Sequence, residues 1–195
     1  MNKITTTIKN FIKRNYFTLI ILIFFILYLF FFQKEKISIF SHYNYFNKSA
    51  IEIVSPIKII PADSIENTYG APRSGGRVHE GIDLFAPYGT PVYSVINGFI
   101  LFIGCDNLGG NVIKLMGIDN RIYYYAHLSS FADFGKGDKV EADEVIGFIG
   151  NSGNARFTPS HLHFEIMTIS WLFPMLIKNI NPYFELVNAT KREYG

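Results

Sequence analysis

A run of 17 residues from Tyr16 to Phe32 contains no charged residue and only one weakly polar one, Thr18. As an α-helix this run would be about 26 Å long, which is at the short end for a hydrocarbon core of ~30 Å. Basic residues on both sides of the run can extend their side chains to the interface and make up the difference. The pattern therefore predicts one N-terminal transmembrane helix over residues 16–32.

Two other interpretations of this run are a buried core helix and a cleavable signal peptide. A core helix normally has a polar face, which the run lacks. A signal peptide usually has a shorter apolar region followed by a small-residue cleavage site, and residues 33–40 contain no such site. The run is therefore interpreted as an uncleaved signal anchor.

The basic residues before this run predict its orientation. Residues 1–32 contain Lys3, Lys9, Lys13 and Arg14 and no acidic residue. Because positive charge is retained on the cytoplasmic side, residues 1–15 are expected to form a cytoplasmic basic tail. Everything after the helix is then expected outside the cell membrane, as periplasmic or extracellular protein.

The rest of the chain changes texture near Pro61. Residues 33–60 mix Lys, Ser, Asn and aromatic residues without periodicity and are predicted to form a stalk or linker. From Pro61 onward, short apolar runs are separated by Gly, Asn and Asp, and no long amphipathic helix is evident. This pattern predicts a mainly β domain over residues 61–187, a compact antiparallel β sandwich or barrel-like structure, followed by a tail over residues 188–195.

Individual strands can be assigned within this domain. The segments Pro91–Ile96 and Phe99–Ile103 flank Asn97-Gly98, a favourable tight turn, and so predict a hairpin. Further strands are predicted at Asn111–Leu115, Arg121–Leu128, Val145–Ile149 and His161–Ile166.

Charge and cysteine content narrow the class of protein. The chain carries a formal net charge of +2, but residues 33–195 hold 14 basic and 16 acidic residues. A slightly acidic domain argues against nucleic acid as the partner. Cys105 is the only cysteine, so no intrachain disulfide can form and a cysteine-rich structural zinc site is disfavoured.

Four of the five histidines lie in three short motifs. In His79-Glu-Gly-Ile-Asp83 the two end residues face the same side of either a helix or a strand, and Gly81 favours a bulged strand or loop. Taken alone, the motif is explained more simply by a hydrogen bond between His79 and Asp83 without a metal ion. The motif alone therefore does not establish a metal site.

The other two motifs lie on predicted strands. Alternation in His161-Leu-His163-Phe-Glu165-Ile166 places His161, His163 and Glu165 on one face and the apolar residues on the other. The same alternation in Tyr123-Tyr-Tyr-Ala-His127 predicts Tyr123, Tyr125 and His127 on one side, where the histidine could simply pack among aromatic rings. Jointly, the motifs fit a catalytic zinc ion with three N and O ligands and an open position, beside spare histidines for acid–base chemistry.

These motifs resemble those of the lysostaphin-type, or LytM-like, zinc metalloendopeptidases. The resemblance extends from about Tyr69 to Leu186. The segments that carry it are Gly76–Val92, Tyr125–Leu128, Gly150–Ala155, Pro159–Glu165 and Asn181–Phe184.

The resemblance implies a role for each histidine of the motifs. It makes His79, Asp83 and His163 the ligands of one Zn²⁺ ion, and His127 and His161 the catalytic pair. His161 is the preferred general base because it shares a strand with His163, although the spacing leaves His127 open. Arg73 is a candidate for a substrate carboxylate, and Glu165 for orienting a ligand; a solvated surface residue is the alternative for both.

The implied activity is hydrolysis of peptide cross-links in bacterial peptidoglycan by a membrane-anchored zinc metalloendopeptidase that remodels the cell wall. Peptidoglycan stem peptides and cross-bridges would be the partner in this case. A non-catalytic wall-binding activator or scaffold on the same fold is the main alternative, but that alternative predicts substituted ligands and all five positions are intact. A zinc peptidase acting on other proteins is a second alternative.

Overall fold

A computed structural model of the chain describes residues 16, 18, 20–28, 52–170 and 176–194. Contacts divide the chain into two units, residues 1–50 and 51–195. In the first unit, residues 20–28 form an α-helix (α1), and residues 16 and 18 are helical as well. The predicted basic tail 1–15, the remainder of the predicted transmembrane segment, and residues 33–51 of the stalk lie outside the described residues. Within the described part of the chain, no helix combines the length and apolar character that crossing a membrane requires.

The described residues of the second unit form a nine-stranded antiparallel sheet. The main path runs in the order β1-β8-β5-β4-β3-β6, with β9 pairing with β8, and β7 pairing with both β5 and β2. The prediction of a mainly antiparallel β domain is therefore confirmed. The strands are β1 (Ile82–Phe85), β2 (Pro91–Tyr93), β3 (Gly98–Asp106), β4 (Gly110–Gly117), β5 (Arg121–Phe131), β6 (Lys139–Val140), β7 (Val145–Ile149), β8 (His161–Ser170) and β9 (Leu176–Ile180).

Strand β8 shows the predicted alternation between a core face and a polar face. Leu162, Phe164 and Ile166 are fully buried in the main hydrophobic core. His161 and His163 lie on the opposite face, at the floor of a cleft. Because successive side chains of a strand point to opposite faces, the apolar residues fix which face the histidines take.

The predicted hairpin around Asn97-Gly98 is wrong. Strand β2 pairs with β7, whereas β3 begins at Gly98 and pairs with β4 and β6. The chain between β2 and β3 is held by other partners: Val95 N–H donates to the Tyr125 hydroxyl, and Asn97 O accepts from Ile118 N–H. These tertiary contacts outweigh the local turn preference.

The folded unit extends beyond the boundaries predicted for the domain. In the predicted stalk, Ile53, Ile57 and Ile60 are buried in the core. A helix that the sequence pattern did not reveal, α2 (Tyr183–Tyr194), buries Leu186 and Ala189 in the same core. Residues 52–60 and residues 188–194 of the predicted tail thus pack together as part of the domain.

Candidate metal centre

Three predicted ligands converge at one edge of the sheet. Asp83 on β1 lies directly opposite His163 on β8 in the strand register. His79 precedes β1 and is fixed by its backbone, since its N–H donates to Ala71 O and its carbonyl accepts from Gly70 N–H. One ligand atom from each of the three residues falls within 4.8 Å of the other two.

Glycine at position 81 permits this close approach of β1 to β8. A Cβ atom built at Gly81 would lie 2.4 Å from Phe164 O, and 2.9 Å from the His163 ring. No larger residue fits there without moving the backbone. The prediction that Gly81 favours a strand or loop over a helix is confirmed.

The donor set fits a zinc ion in its chemistry. His79 Nδ1–H donates to Thr68 O at 2.8 Å, and His163 Nε2–H donates to Glu165 Oε1 at 2.8 Å. In the neutral rings, the lone pairs of His79 Nε2 and His163 Nδ1 therefore both point inward. These two nitrogens are 2.9 Å apart and lie 3.0 and 2.9 Å from Asp83 Oδ1. Two nitrogen donors and one carboxylate oxygen form the ligand type that catalytic zinc prefers.

Charges within the centre hold the ligands in place in the metal-free protein. Burial opposes ionisation of Asp83, but hydrogen bonds with His163 and His79 outweigh it and hold the pKa of Asp83 far below its usual range. Burial likewise favours a neutral His163, but hydrogen bonds with Asp83 and Glu165 raise the pKa of His163 to about 9. Because a metal ligand must be deprotonated, a metal ion bound by this ring at neutral pH would displace a proton from it.

Two supporting residues surround the ligands. Arg73 Nη2 donates to Asp83 Oδ2 at 2.5 Å, so this arginine is paired with a ligand. Glu165 has 13% of its side chain exposed, and its second oxygen accepts from Asn179 Nδ2 at 3.1 Å. Glu165 therefore lies in the site and bonds to His163, which fits the candidate role of orienting a ligand and not the alternative of a solvated surface residue.

The two remaining histidines of the motifs stand beside the ligands. The His127 ring centroid is 4.9 Å from that of His161 and 5.8 Å from that of His163. Each histidine donates Nδ1–H to a backbone carbonyl, His127 to Ser152 O and His161 to Pro159 O, at 2.9 Å in both cases. Their Nε2 atoms therefore carry the lone pairs. Burial, reinforced by the nearby His161 and His163, lowers the pKa of His127 to about 4.

The orientation of His127 corrects the prediction made from strand alternation. Tyr123 and Tyr125 point into the main core, whereas His127 lies on the cleft side. A positive φ of 63° at His127, and a shift in the register of the β4–β5 pairing between Tyr125 and Leu128, reverse the alternation. The three residues therefore do not share a face, because a β-bulge re-aims the histidine.

Sequence reasoning missed the groups that fix the histidine tautomers. These are the backbone carbonyls of Thr68, Ser152 and Pro159, and the Asn179 side chain, which holds the Glu165 partner of His163, was missed as well. Any residue type supplies a carbonyl, so the sequence carries no signal for the first three.

The histidines and ligands form the floor of a cleft with a volume of about 730 Å³. Comparison with known families gives a match to the family described as "Peptidase family M23" over residues 77–175, half of the chain. The chain belongs to peptidase family M23. The expected membership of the lysostaphin-type group is thereby confirmed.

Relatives of this M23 chain include curated and solved proteins. It is 37% identical over 139 residues to the L-Ala–D-Glu endopeptidase of Bacillus subtilis (strain 168), a match covering 67% of this chain and 42% of the relative. The catalytic domain of lysostaphin from Staphylococcus simulans superposes with a TM-score of 0.55 at 33% identity, over 64% of this chain and 94% of that one. The chain thus spans less than half the length of the Bacillus relative.

A third relative bears on the metal. A zinc-containing peptidase from Vibrio cholerae superposes with a TM-score of 0.50 at 25% identity, over 66% of this chain and 39% of that one. M23 peptidases are zinc metalloproteases, which agrees with the two nitrogens and one oxygen that converge here. Zinc is therefore confirmed as the metal of the family to which the chain belongs. The roles of the individual residues stay predictions.

Proposed function

We propose that this chain is a zinc-dependent endopeptidase that hydrolyses peptide cross-links of bacterial peptidoglycan. The observation that carries the proposal is the cluster itself. Three donor atoms converge within 4.8 Å, and two further imidazole rings lie beside them in one cleft. A non-catalytic scaffold on this fold would not require all three candidate ligands and both further histidines. The name of the Bacillus relative, an L-Ala–D-Glu endopeptidase, supports a wall peptide as the substrate.

His79, Asp83 and His163 would hold the zinc ion. When bound, the ion would act as a Lewis acid that polarises the scissile carbonyl and makes the attacking water more acidic. His161 Nε2 takes the proton of that water, since its Nδ1–H is already donated to Pro159 O. Asp83 Oδ1 lies 3.8 Å from His161 Nε2 and stabilises the imidazolium that forms. The same ring then passes the proton to the leaving amine.

His127 has a complementary task. Its Nδ1–H is committed to Ser152 O, so Nε2 accepts a hydrogen bond. The low pKa, about 4, keeps the ring neutral at the pH of most cell envelopes. His127 Nε2 therefore orients the attacking water by accepting a hydrogen bond from one of its O–H groups. His161 removes the proton of the other O–H group. This division makes His161 the general base.

The proposed location is the cell membrane, with a single N-terminal span, a cytoplasmic N-terminus and the catalytic domain outside. The uncharged run over residues 16–32 and the four basic residues before it support this proposal. The large apolar side chains at positions 21–28 are at least 44% exposed, which suits contact with lipid. Protease added to the outside of spheroplasts should digest the domain; a domain that stays intact there would overturn the orientation.

The activity is tested by mass spectrometry of the products released from purified peptidoglycan. Zinc-loaded protein should release fragments with a new amine and a new carboxylate at one type of peptide bond, and that bond identifies the specificity. His161→Ala is the matched variant, because it should retain zinc and lose turnover. Release of no fragments by the zinc-loaded wild type, or full turnover by the variant, would contradict the proposal.

A further inference from the structure

The charges that line the cleft leave one half-buried cation without an acidic partner. The exposed Arg77, which also lines the cleft, donates its Nε–H to the Ser74 carbonyl. Asp83 bonds to His79, His163 and Arg73, and Glu165 bonds to His163 and Asn179. On the far side, Asp106 accepts from the Tyr124 hydroxyl at 2.6 Å and from two backbone N–H groups. These carboxylates are all held by donors of the protein. Arg73 is paired as well, and so is no longer the best candidate for a substrate carboxylate.

Lys114 is that cation. It is half-buried on β4, lines the cleft, and makes no hydrogen bond or ion pair with any of the residues that the structure describes. Its Nζ lies 5.4 Å from the centroid of the Tyr124 ring. Because the Tyr124 hydroxyl is bonded to Asp106, the ring is fixed and holds the ammonium group over the cleft floor. Three N–H donors of a half-buried ammonium group are thus available to a ligand.

The strand register gives the distance from Lys114 to the metal centre. Lys114 pairs with Tyr124, Tyr124 pairs with Glu165, and Glu165 is two residues from His163. With strands ~4.8 Å apart and a rise of ~3.4 Å per residue, the Cα atoms of Lys114 and His163 are about 12 Å apart. That separation equals the length of about three residues of an extended peptide.

We propose that Lys114 is a specificity-determining residue that binds a carboxylate of an acidic peptide substrate, about three residues from the scissile bond. The inference rests on the proposed function and names the substrate class of the same site. Peptides with D-Glu fit this chemistry, because one carboxyl group continues the chain and the other stays free. The C-terminal carboxylate of a short peptide presents the same group.

The test uses the zinc-loaded full chain and three peptides. The first is L-Ala–γ-D-Glu–L-Lys–D-Ala, the second carries the D-Glu α-carboxylate as its carboxamide, and the third is amidated at its C-terminus. Lys114→Met should raise KM for the first peptide about 10-fold and leave kcat within about 2-fold, because one charge-assisted hydrogen bond is lost in binding. Either the second or the third peptide lacks the carboxylate that Lys114 contacts. The KM of the wild type for that peptide should already be raised, and Lys114→Met should not raise it further.

Two control variants separate this effect from damage to the fold. Lys114→Arg keeps the charge and should raise KM for the first peptide less than Lys114→Met does. Lys139→Met removes an exposed lysine of β6, outside the cleft, and should change nothing. An equal effect of Lys114→Met on all three peptides, or no effect on any of them, would overturn the inference.

The failure of the proposed function gives a different result. If the wild type cleaves none of the peptides and also releases no fragments from purified peptidoglycan, the peptidase proposal fails on that count alone. The affinity of the zinc-loaded wild type and of Lys114→Met for the same three peptides, measured by calorimetry, then decides the inference. The same selective 10-fold loss supports it, and equal affinities refute it.

Discussion

Replacing Glu165 tests whether the residues behind the ligands matter as much as the ligands do. Glu165 Oε1 accepts the Nε2–H of His163 at 2.8 Å, and Asn179 fixes the other oxygen. The carboxylate therefore sets the tautomer of His163 that directs the Nδ1 lone pair toward the proposed metal ion. The negative charge of Glu165 makes Nδ1 more basic and so a stronger metal ligand. Glu165→Gln keeps an acceptor in place but removes the charge, whereas Glu165→Ala removes both.

The geometry gives the expected magnitude. A hydrogen bond to a charged group contributes about 1.5–3 kcal/mol, and one between neutral groups about 1 kcal/mol. Glu165→Gln should therefore weaken zinc binding by about 1 kcal/mol, roughly five- to tenfold in Kd. Glu165→Ala also leaves His163 Nε2–H and Asn179 without their partner, so a loss of about 2–3 kcal/mol is expected, roughly 30- to 150-fold.

Competition with a chromophoric chelator measures these zinc dissociation constants, at a pH above the His163 pKa of about 9, so that no proton competes with zinc for the ring. Glu80→Gln is the control, since Glu80 is an exposed acid in the same cleft, and its effect should stay below about twofold. The order wild type, Gln, Ala in increasing Kd is the expected result. A Kd for Glu165→Ala equal to that of the wild type would refute the role assigned to this carboxylate.

Three further predictions concern the fold and the histidines. Ile57→Ala should lower the free energy of unfolding by about 2–5 kcal/mol in urea because Ile57 is 1% exposed, while Ile59→Ala, 59% exposed, should have little effect. In the metal-free protein, His127 has a pKa near 4, below its ordinary unfolded value of 6.5. As pH falls, the unfolded state therefore takes up a proton before the folded state does, so the free energy of unfolding decreases below pH 6.5. His127→Asn lacks this group, and its free energy of unfolding in urea should fall by about 2 kcal/mol less than that of the wild type between pH 7 and 5. Calorimetry in buffers of different ionisation enthalpy should detect a proton released when zinc binds at pH 7, since His163 has a pKa of about 9; binding without proton release would contradict that value.

The sequence predicted the polar face of β8 because a strand has a simple period. Leu162 and Phe164 are apolar and belong in the core, which leaves His161 and His163 on the other face. The same rule failed for His127, where a residue with positive φ reverses the face. A bulge of this kind depends on tertiary contacts, so a period of two cannot reveal it.

Domain boundaries and loop partners were less accessible from the sequence. Ile53 and Ile57 lie in a segment without periodicity, and their burial depends on α2, which is distant in sequence. One link between the two segments is the hydrogen bond from Arg192 Nη2 to Ile53 O at 2.8 Å. Contacts between positions so far apart leave no local pattern.

The partners of the histidines were hidden for a different reason. His79 and His127 each donate to a backbone carbonyl, and the carbonyl belongs to a loop whose path the sequence does not specify. The spacing of the motifs predicted which residues meet, and the surrounding loops decide which nitrogen each ring presents.

Chelation followed by zinc addition tests the central claim most directly. The measured quantity is the release of peptide fragments from purified peptidoglycan by the full chain, alongside the zinc content of the protein. The account predicts that a chelator abolishes release and that one equivalent of Zn²⁺ restores it, whereas His163→Ala stays inactive and binds zinc weakly. Release that continues after the zinc has been removed would contradict the assignment of His79, Asp83 and His163 as the ligands of a catalytic zinc ion.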